Sequence, residues 1–398
     1  MFATMLGDRF GQSVALTDSA LGKILGLGTA TKAGTSVSES KALGVSSIFA
    51  AVRTMSMIKA SLPLHVYSAG NGYSERAMDH PLEKILHSKP NKYQTSYAFR
   101  HLLNVHQYTW GAGVAEIEFD GAGQPVGLWP IPPWLVTPMY TADWKPVYQI
   151  NFPRGGTKVL FPYQVLVFPF FQTEAHGWVS PVQLHRETIG SELATREFGA
   201  RTFGQGVNPA GVISGVELGD EESEKALRNR FANYEGLGES HRLMLLNEGQ
   251  EFKRVGLPPE DSQFLETRRF NVGEIARIYN IPLHLLHETE KSTSWGSGIS
   301  EQVRGLIKFN LAPECTMWEQ EINSKLFFDN HFCEHSMAGM LRGSLEERLN
   351  AYEAGQRTGL YSINEMRNLE NLPPVEDGDK RLISQNLKEL SEVEDAEN

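Results

Sequence analysis

Apolar residues recur every three or four positions over several long stretches of the chain. SSIFAAVRTMSMIKASL places Ile48, Val52, Met55 and Ile58 on one face and stops at Leu62-Pro63, so it predicts a helix. HPLEKILHSK and TSYAFRHLLNVHQYTWG predict two more, the second carrying Phe99, Leu102, Leu103 and His106 before Gly111 and Gly113. Between the first two, PLHVYSAG alternates as a strand and turns at Gly70–Gly72. From Ala115 to Phe171 the period drops to two in short pieces broken by glycine and proline: AEIEF, VGLWPI, LVTPMY, PVYQI, TKVLF and VLVFPF. Prolines at 130, 132, 133, 138 and 162 exclude a regular central sheet and favour edge strands.

The chain is organised around Ser180–Gly298. SPVQLHRETIGSELATREFGARTF predicts a helix over 180–203, with Pro181 in its first turn and Ile189, Leu193 and Phe198 as its apolar stripe. Such a rod is roughly 36 Å long. A mixed stretch of strands and one helix follows, with Asp220 placed to cap DEESEKALRNRFANYEG. A second helical run starts near Pro259 and ends at Ile281-Pro282. Two rods thus bracket a small module. The polar segment HETEKSTSWGSG (287–298) comes next and cannot build a core. It reads either as a plain surface linker or as a mobile loop on a rigid frame, with Gly296 and Gly298 as its hinge.

ISEQVRGLIKFNLAPECTMWEQEINSKLFF predicts a long helix that Pro313 must kink or break. Near the end, Ser344 with Glu347 and Ser362 with Glu365 form capping boxes for two further helices. Residues 1–44 are rich in Gly, Ala, Ser and Thr and predict a loosely held arm with one short helix. The fold class is α+β.

The formal charge of −11 is concentrated at one end, since Glu370–Asn398 carries nine acids and three bases. A basic phosphate-binding face is not advertised. Cys315 and Cys333 match no disulfide framework and read as reduced thiols of a cytosolic product. We expect no signal peptide and no membrane span.

A catalytic constellation does not emerge, and we expect neither an enzyme nor a cofactor. GxGxxG, GxxxxGK[ST] and GxSxG are all missing, and no carboxylate pair sits in an acid–base motif. His331, Cys333 and His335 would share one side of a strand, yet the spacing matches no established zinc pattern, so we expect ordinary strand residues and no metal. Trp129, Trp134, Trp144 and Trp178 lie in a sequence poor in Lys and Arg, so they predict core or subunit contacts more than base stacking.

In series, VSSIFAAVRTMSMIKASLPLHVY (45–67), HPLEKILHSKPN (80–91), SPVQLHRETIG (180–190), NPAGVI (208–213), PEDSQFLETRRFNVGEIARIYNIPLHLL (259–286) and GLYSINEMRNLENLPPVEDGD (359–379) resemble the portal proteins. These are the head–tail connectors of tailed double-stranded-DNA bacteriophages, here of the long-tailed-phage branch. The resemblance spans about residues 40–380. It implies a ring, usually of twelve subunits, at the unique capsid vertex of the virion, made in the host bacterial cytoplasm. Its implied partners are the terminase large subunit, the major capsid protein and scaffold, the neck and tail adaptors, and the double-stranded DNA passing through its channel.

The resemblance also implies a division of the chain. The arm is 1–44, the wing 45–179 with strands after Phe327, and the stem helices 180–206 and 259–283. Between the stem helices lies a clip at 207–258, whose Glu221, Glu222, Arg228 and Arg230 would face the motor or adaptor. A tunnel loop at 284–298 would set Glu290, Lys291, Ser292, Thr293, Ser294 and Trp295 near DNA. A long kinked helix returning to the wing (299–343), a helical crown (344–380) and an acidic tail (381–398) complete it. The chain departs from the family pattern in two places: His287 and Glu288 follow HLL where a glycine is common, and Leu283 stands where a second proline is frequent. The rival reading is another oligomeric virion protein, such as a neck adaptor or capsid component. An acidic channel would suit a moving duplex, because strong phosphate contacts would brake it.

Overall fold

The computed structural model describes residues 29–70, 74–153, 155–204, 211–214, 225, 251–254, 261–288, 297–337, 345–370 and 372–381. They fall in two units, 1–335 and 336–398.

The first unit opens with a hairpin, β1 (Thr29–Ala30) and β2 (Ser36–Val37), and a helix, α1 (Glu39–Ala42). Residues 29–44 are not a loose arm. Lys32 N–H donates to Glu187 at 3.0 Å, Thr35 Oγ1 donates to the Gly190 carbonyl at 3.1 Å, and Val37 and Ala42 are fully buried. A Cβ on Gly190 would sit 2.7 Å from Thr31, so only glycine allows this close approach.

Helix α2 (Ser46–Ser61) buries Ile48, Val52 and Met55 as its pattern predicts. Its fourth inward position is Lys59 (1% exposed), while Ile58 is half-buried. Leu62 turns extended before Pro63, and the chain enters β3 (Leu64–Ala69), paired with β4 (Ser74–Arg76). The predicted HPLEKILHSK helix is a short α3 (Pro81–Glu83) running into a π-turn (Lys84–Ser88). Helix α4 (Ser96–Trp110) is capped by Thr95 Oγ1 and closed by Gly111 at φ 92°.

Six strands follow: β5 (Ala112–Phe119), β6 (Pro125–Ile131), β7 (Val136–Tyr140), β8 (Pro146–Asn151), β9 (Thr157–Leu160) and β10 (Val165–Pro169). They form two antiparallel sheets, β10-β5-β6 and β7-β8-β9. Pro130 and Pro138 lie in β6 and β7, both edge strands.

The first rod starts as α5 (Pro181–Leu184), steps at His185, and continues as α6 (Arg186–Gly204). Beyond it β11 (Gly211–Ser214) pairs antiparallel with β12 (Glu251–Arg254). The second rod is α7 (Asp261–Ile278). Between the rods, Asn271 donates to Glu192 Oε2 at 2.7 Å with both side chains buried. The predicted apolar stripe of α6 is only partly realised: Ile189 is buried, Leu193 half-buried and Phe198 51% exposed. The helix is covered near its start by the hairpin and by α7, and the buried position falls to Glu192.

The long run from 297 is neither broken nor stopped at Pro313. Helix α8 (Ser297–Leu306) passes through a π-turn (Ile307–Leu311) into α9 (Ala312–Leu326). Ala312 N–H bonds to the Ile307 carbonyl, five residues back, so the turn before the proline is widened and the helix continues. Leu311, Cys315, Trp318, Ile322 and Leu326 then form a buried stripe, whose last three members belong to the main core.

Helix α9 also finishes two sheet edges. Strand β13 (His331–His335) pairs with β3 to give the sheet β13-β3-β4. Asn323 accepts from Cys333 N–H at 2.8 Å and donates to its carbonyl at 3.2 Å. On the other sheet, Glu321 accepts from Val167 N–H at 2.7 Å and Lys325 Nζ donates to the Val165 carbonyl at 2.7 Å. Three side chains of one element therefore supply partners that edge strands lack.

In the second unit, α10 (Leu345–Arg357) and α11 (Ile363–Leu369) meet where Tyr361 packs against Gly355. Ser362 and Glu365 form the predicted capping box. Ser344 lies outside the described residues.

Candidate functional site

Glu290, Lys291, Ser292, Thr293, Ser294 and Trp295 lie outside the described residues, as do Glu221, Glu222, Arg228 and Arg230. What is described is the frame around the 289–296 segment, built from the end of α7, a 3₁₀ turn at Leu283–Leu286, and α8 with its π-turn.

The chain reaches that segment through two successive helix ends of the same kind. At the first, Asn280 adopts φ 49°, Asn280 N–H bonds to the Arg277 carbonyl, and Ile281 N–H bonds to the Ala276 carbonyl at 3.0 Å. This is a Schellman closure, with asparagine tolerating the left-handed position and Pro282 preventing any return to helix. At the second, His287 adopts φ 61°, His287 N–H bonds to the His284 carbonyl, and Glu288 N–H bonds to the Leu283 carbonyl. A histidine thus holds a left-handed position that glycine would adopt without strain.

Two side-chain ties hold the frame. Asn310, in the π-turn, donates to the carbonyls of Tyr279 at 3.1 Å and Asn280 at 2.9 Å. His284 Nδ1 lies 2.6 Å from Gln302 Oε1, linking the 3₁₀ turn to α8. Burial also pushes the Tyr279 phenol well above its ordinary range, so it stays neutral within this frame. Neither tie was legible in the sequence, because Asn310 and Gln302 sit in unremarkable helical patterns.

Above the frame, the first turns of α9 are locked by a buried ionic group. Lys59 Nζ donates to Glu314 Oε2 at 2.9 Å and to Gln107 Oε1 at 3.3 Å, and lies 4.5 Å from the Trp318 ring centroid. Tyr108 donates to the same Glu314 oxygen at 2.5 Å. A groove of about 460 Å³ opens between α7 and α8, lined by Gly273, Arg277, Leu283, Gln302, Gly305 and Phe309 among others. Phe270, Leu283 and Phe309 are exposed, Phe309 at 70%.

The His331, Cys333 and His335 trio does not come together as one cluster. Cys333 is buried and its thiol pushed up by burial, while His335 Nδ1 lies 2.8 Å from Glu319. Trp178 packs against a buried cluster, whereas Trp134 is exposed and tilted against Trp110 with centroids 4.8 Å apart. No helix among the described residues is long and apolar enough to cross a membrane.

Comparison with known proteins matches the chain to one family. The family model described as phage portal protein matches residues 46–371, and the chain belongs to that family. It is 28% identical over 363 residues to the portal protein of Enterobacteria phage HK97, covering 86% of this chain and 82% of that one. It is 31% identical over 387 residues to a probable portal protein of Streptomyces phage phiC31, covering 93% and 84%. Among solved structures, a chain from the virion of a native gene transfer agent particle superposes with a TM-score of 0.60 at 20% identity, over 89% of this chain and 99% of that one. An HK97-family phage portal protein from Corynebacterium diphtheriae gives 0.55 at 16% identity, over 76% and 96%.

Proposed function

We propose that copies of this chain close head to tail into a ring, usually of twelve, at the unique capsid vertex, and that double-stranded DNA passes through its centre during packaging and ejection. The observation that carries this reading is the layout of α6 and α7, two rods that bracket residues 205–260. The second rod runs directly into the capped frame of the 289–296 segment. On it, 45–179 with β13 is the wing, the rods are the stem, 207–258 is the clip, and 284–298 is the tunnel loop. The helices from 344 are the crown. The exposed Phe270, Leu283 and Phe309 are apolar groups that a neighbouring copy would cover, and the neck of a native gene transfer agent particle, which holds a chain of this fold, was computed with C12 symmetry.

In this reading Glu290–Trp295 border the DNA, while Glu221, Glu222, Arg228 and Arg230 meet the terminase motor or a neck adaptor. The wing side contacts the major capsid protein and scaffold. Weak contacts with the duplex fit a chain of formal charge −11, since every tight phosphate contact would resist sliding.

Electron microscopy of the particle tests the reading. The expected image is a ring with an axial opening wide enough for a duplex and the 289–296 segment bordering it. A map placing that segment on the outer rim, or showing no opening, overturns it. Lysines added at 292–294 should slow packaging or hold DNA back; unchanged translocation with several of them would count against the weak-contact account.

A further inference from the structure

The turn that starts β13 gathers two imidazoles and a carboxylate that the ring architecture does not use. Asp329 Oδ2 lies 2.9 Å from His331 Nδ1 and 3.7 Å from His80 Nε2. The two imidazole centroids are 4.5 Å apart, and Phe327 stacks on His80 at 5.7 Å. Asp329 Oδ1 accepts the His331 backbone N–H at 3.1 Å, which fixes the carboxylate with Oδ2 facing the rings. His331 Nδ1 is buried, yet despite that close oxygen it makes no aligned hydrogen bond. One ligand atom from each of His80, Asp329 and His331 lies within 4.8 Å of the other two, close enough for all three to share one ion.

We propose that His80, His331 and Asp329 hold a zinc ion, with water completing its shell, and that the ion pins the turn before β13 to the start of α3. A tetrahedral zinc with bonds of about 2.0–2.1 Å holds its ligand atoms about 3.4 Å apart. The observed 2.9 and 3.7 Å bracket that spacing. Two nitrogen donors select zinc and its late first-row neighbours over magnesium or calcium, which require oxygen.

A second trio, His65, Glu83 and His87, is equally close in space. Its carboxylate is already engaged by Arg76 at 2.8 Å and by Val66 N–H at 2.7 Å, so a cation there would face a guanidinium. Asp329 has no such competitor among the described residues.

Binding requires one rearrangement. His80 Nδ1 accepts the Leu82 N–H at 3.2 Å, which leaves its proton on Nε2. Coordination through Nε2 moves that proton to Nδ1 and gives up the Leu82 bond, while His331, coordinating through Nδ1, must carry its proton on Nε2. Neutral imidazoles therefore bind without net proton release, and acid opposes binding by protonating them.

Zinc titrated into the purified full-length chain should bind one ion per chain and raise the thermal midpoint by several degrees, while magnesium does neither. Asp329→Asn and His331→Gln should each weaken zinc binding by about tenfold or more. Asp329 is more than half exposed, so D329N removes the ligand without disturbing the core. The proposal is overturned if both variants bind zinc as the parent does, if His65→Gln abolishes binding instead, or if the parent retains no stoichiometric zinc.

Discussion

Asn310 donates its side-chain amide to the Asn280 carbonyl at 2.9 Å, so the π-turn of the long helix seals the left-handed end of the second rod. The same amide reaches the Tyr279 carbonyl, and Asn310 is 7% exposed. Asn310→Ala leaves both acceptors without this donor and should cost about 1–3 kcal/mol. Chemical denaturation measures the loss. A neutral result would mean that water replaces the amide at no cost.

His287 holds φ 61°, a conformation that costs a non-glycine residue about 1–2 kcal/mol. Glycine removes that strain but loses more chain entropy on folding, about 0.5–1 kcal/mol. His287→Gly should therefore raise stability by up to about 1 kcal/mol. A higher thermal midpoint is the readout, and a lower one would show that the imidazole makes a compensating contact.

Lys59 is a buried cation whose anionic partner, Glu314, is partly exposed, with side chains 1% and 19% accessible. Removing one member of a buried pair costs about 3–5 kcal/mol, and the exposure of Glu314 moves Lys59→Met below that range. Glu314→Gln strands the more buried charge and should be the worse of the two. Equal losses in urea unfolding would contradict this ordering.

His106 is 6% exposed, and burial pulls its pKa from 6.5 down to about 4. The folded state holds this ring neutral while the unfolded chain protonates it first. Its contribution is complete above pH 6.5 and is lost as the pH falls towards about 4, a difference of about 3 kcal/mol. His106→Phe should flatten the stability profile between pH 7 and 4. An unchanged slope would assign the acid sensitivity to other groups.

Trp318 lies parallel to Phe168 with centroids 3.8 Å apart and is 1% exposed. Its Nε1–H donates to Gln107 Oε1 at 3.2 Å, so Trp318→Ala opens a cavity and removes a donor. The expected cost is about 3–5 kcal/mol, enough to lower the yield of folded chain, and equilibrium unfolding would measure it.

Local rules carried much of this fold in plain sight. Period and proline placement marked α2, α4, the two rods and all six strands of 112–169, and they put Pro130 and Pro138 on edges. Three features escaped because their causes are distant in sequence. Strand β13 pairs with β3 across more than 260 positions, His331 opposite Ser68, and nothing local in HFCEH announces that partner. Lys59 replaces Ile58 on the inward face, where Glu314, Gln107 and Trp318 meet its ammonium from elsewhere in the chain. The hairpin at 29–37 settles on α6 because Gly190 leaves room for Thr31. Pro313 was legible as a disturbance, but its remedy was not, since either a break or a wider turn relieves the same clash.

The bond from Ala312 to Ile307 amounts to one residue spliced into an otherwise regular helix. Each helical residue is worth about 100° of rotation. Shortening 307–311 by one would keep the rod length almost unchanged while swinging every side chain from Ser297 to Leu306 around the axis by that angle. The direction in which the preceding polar segment leaves the rod is therefore set by counting residues, and a single-codon deletion would re-aim it without touching any of its own residues.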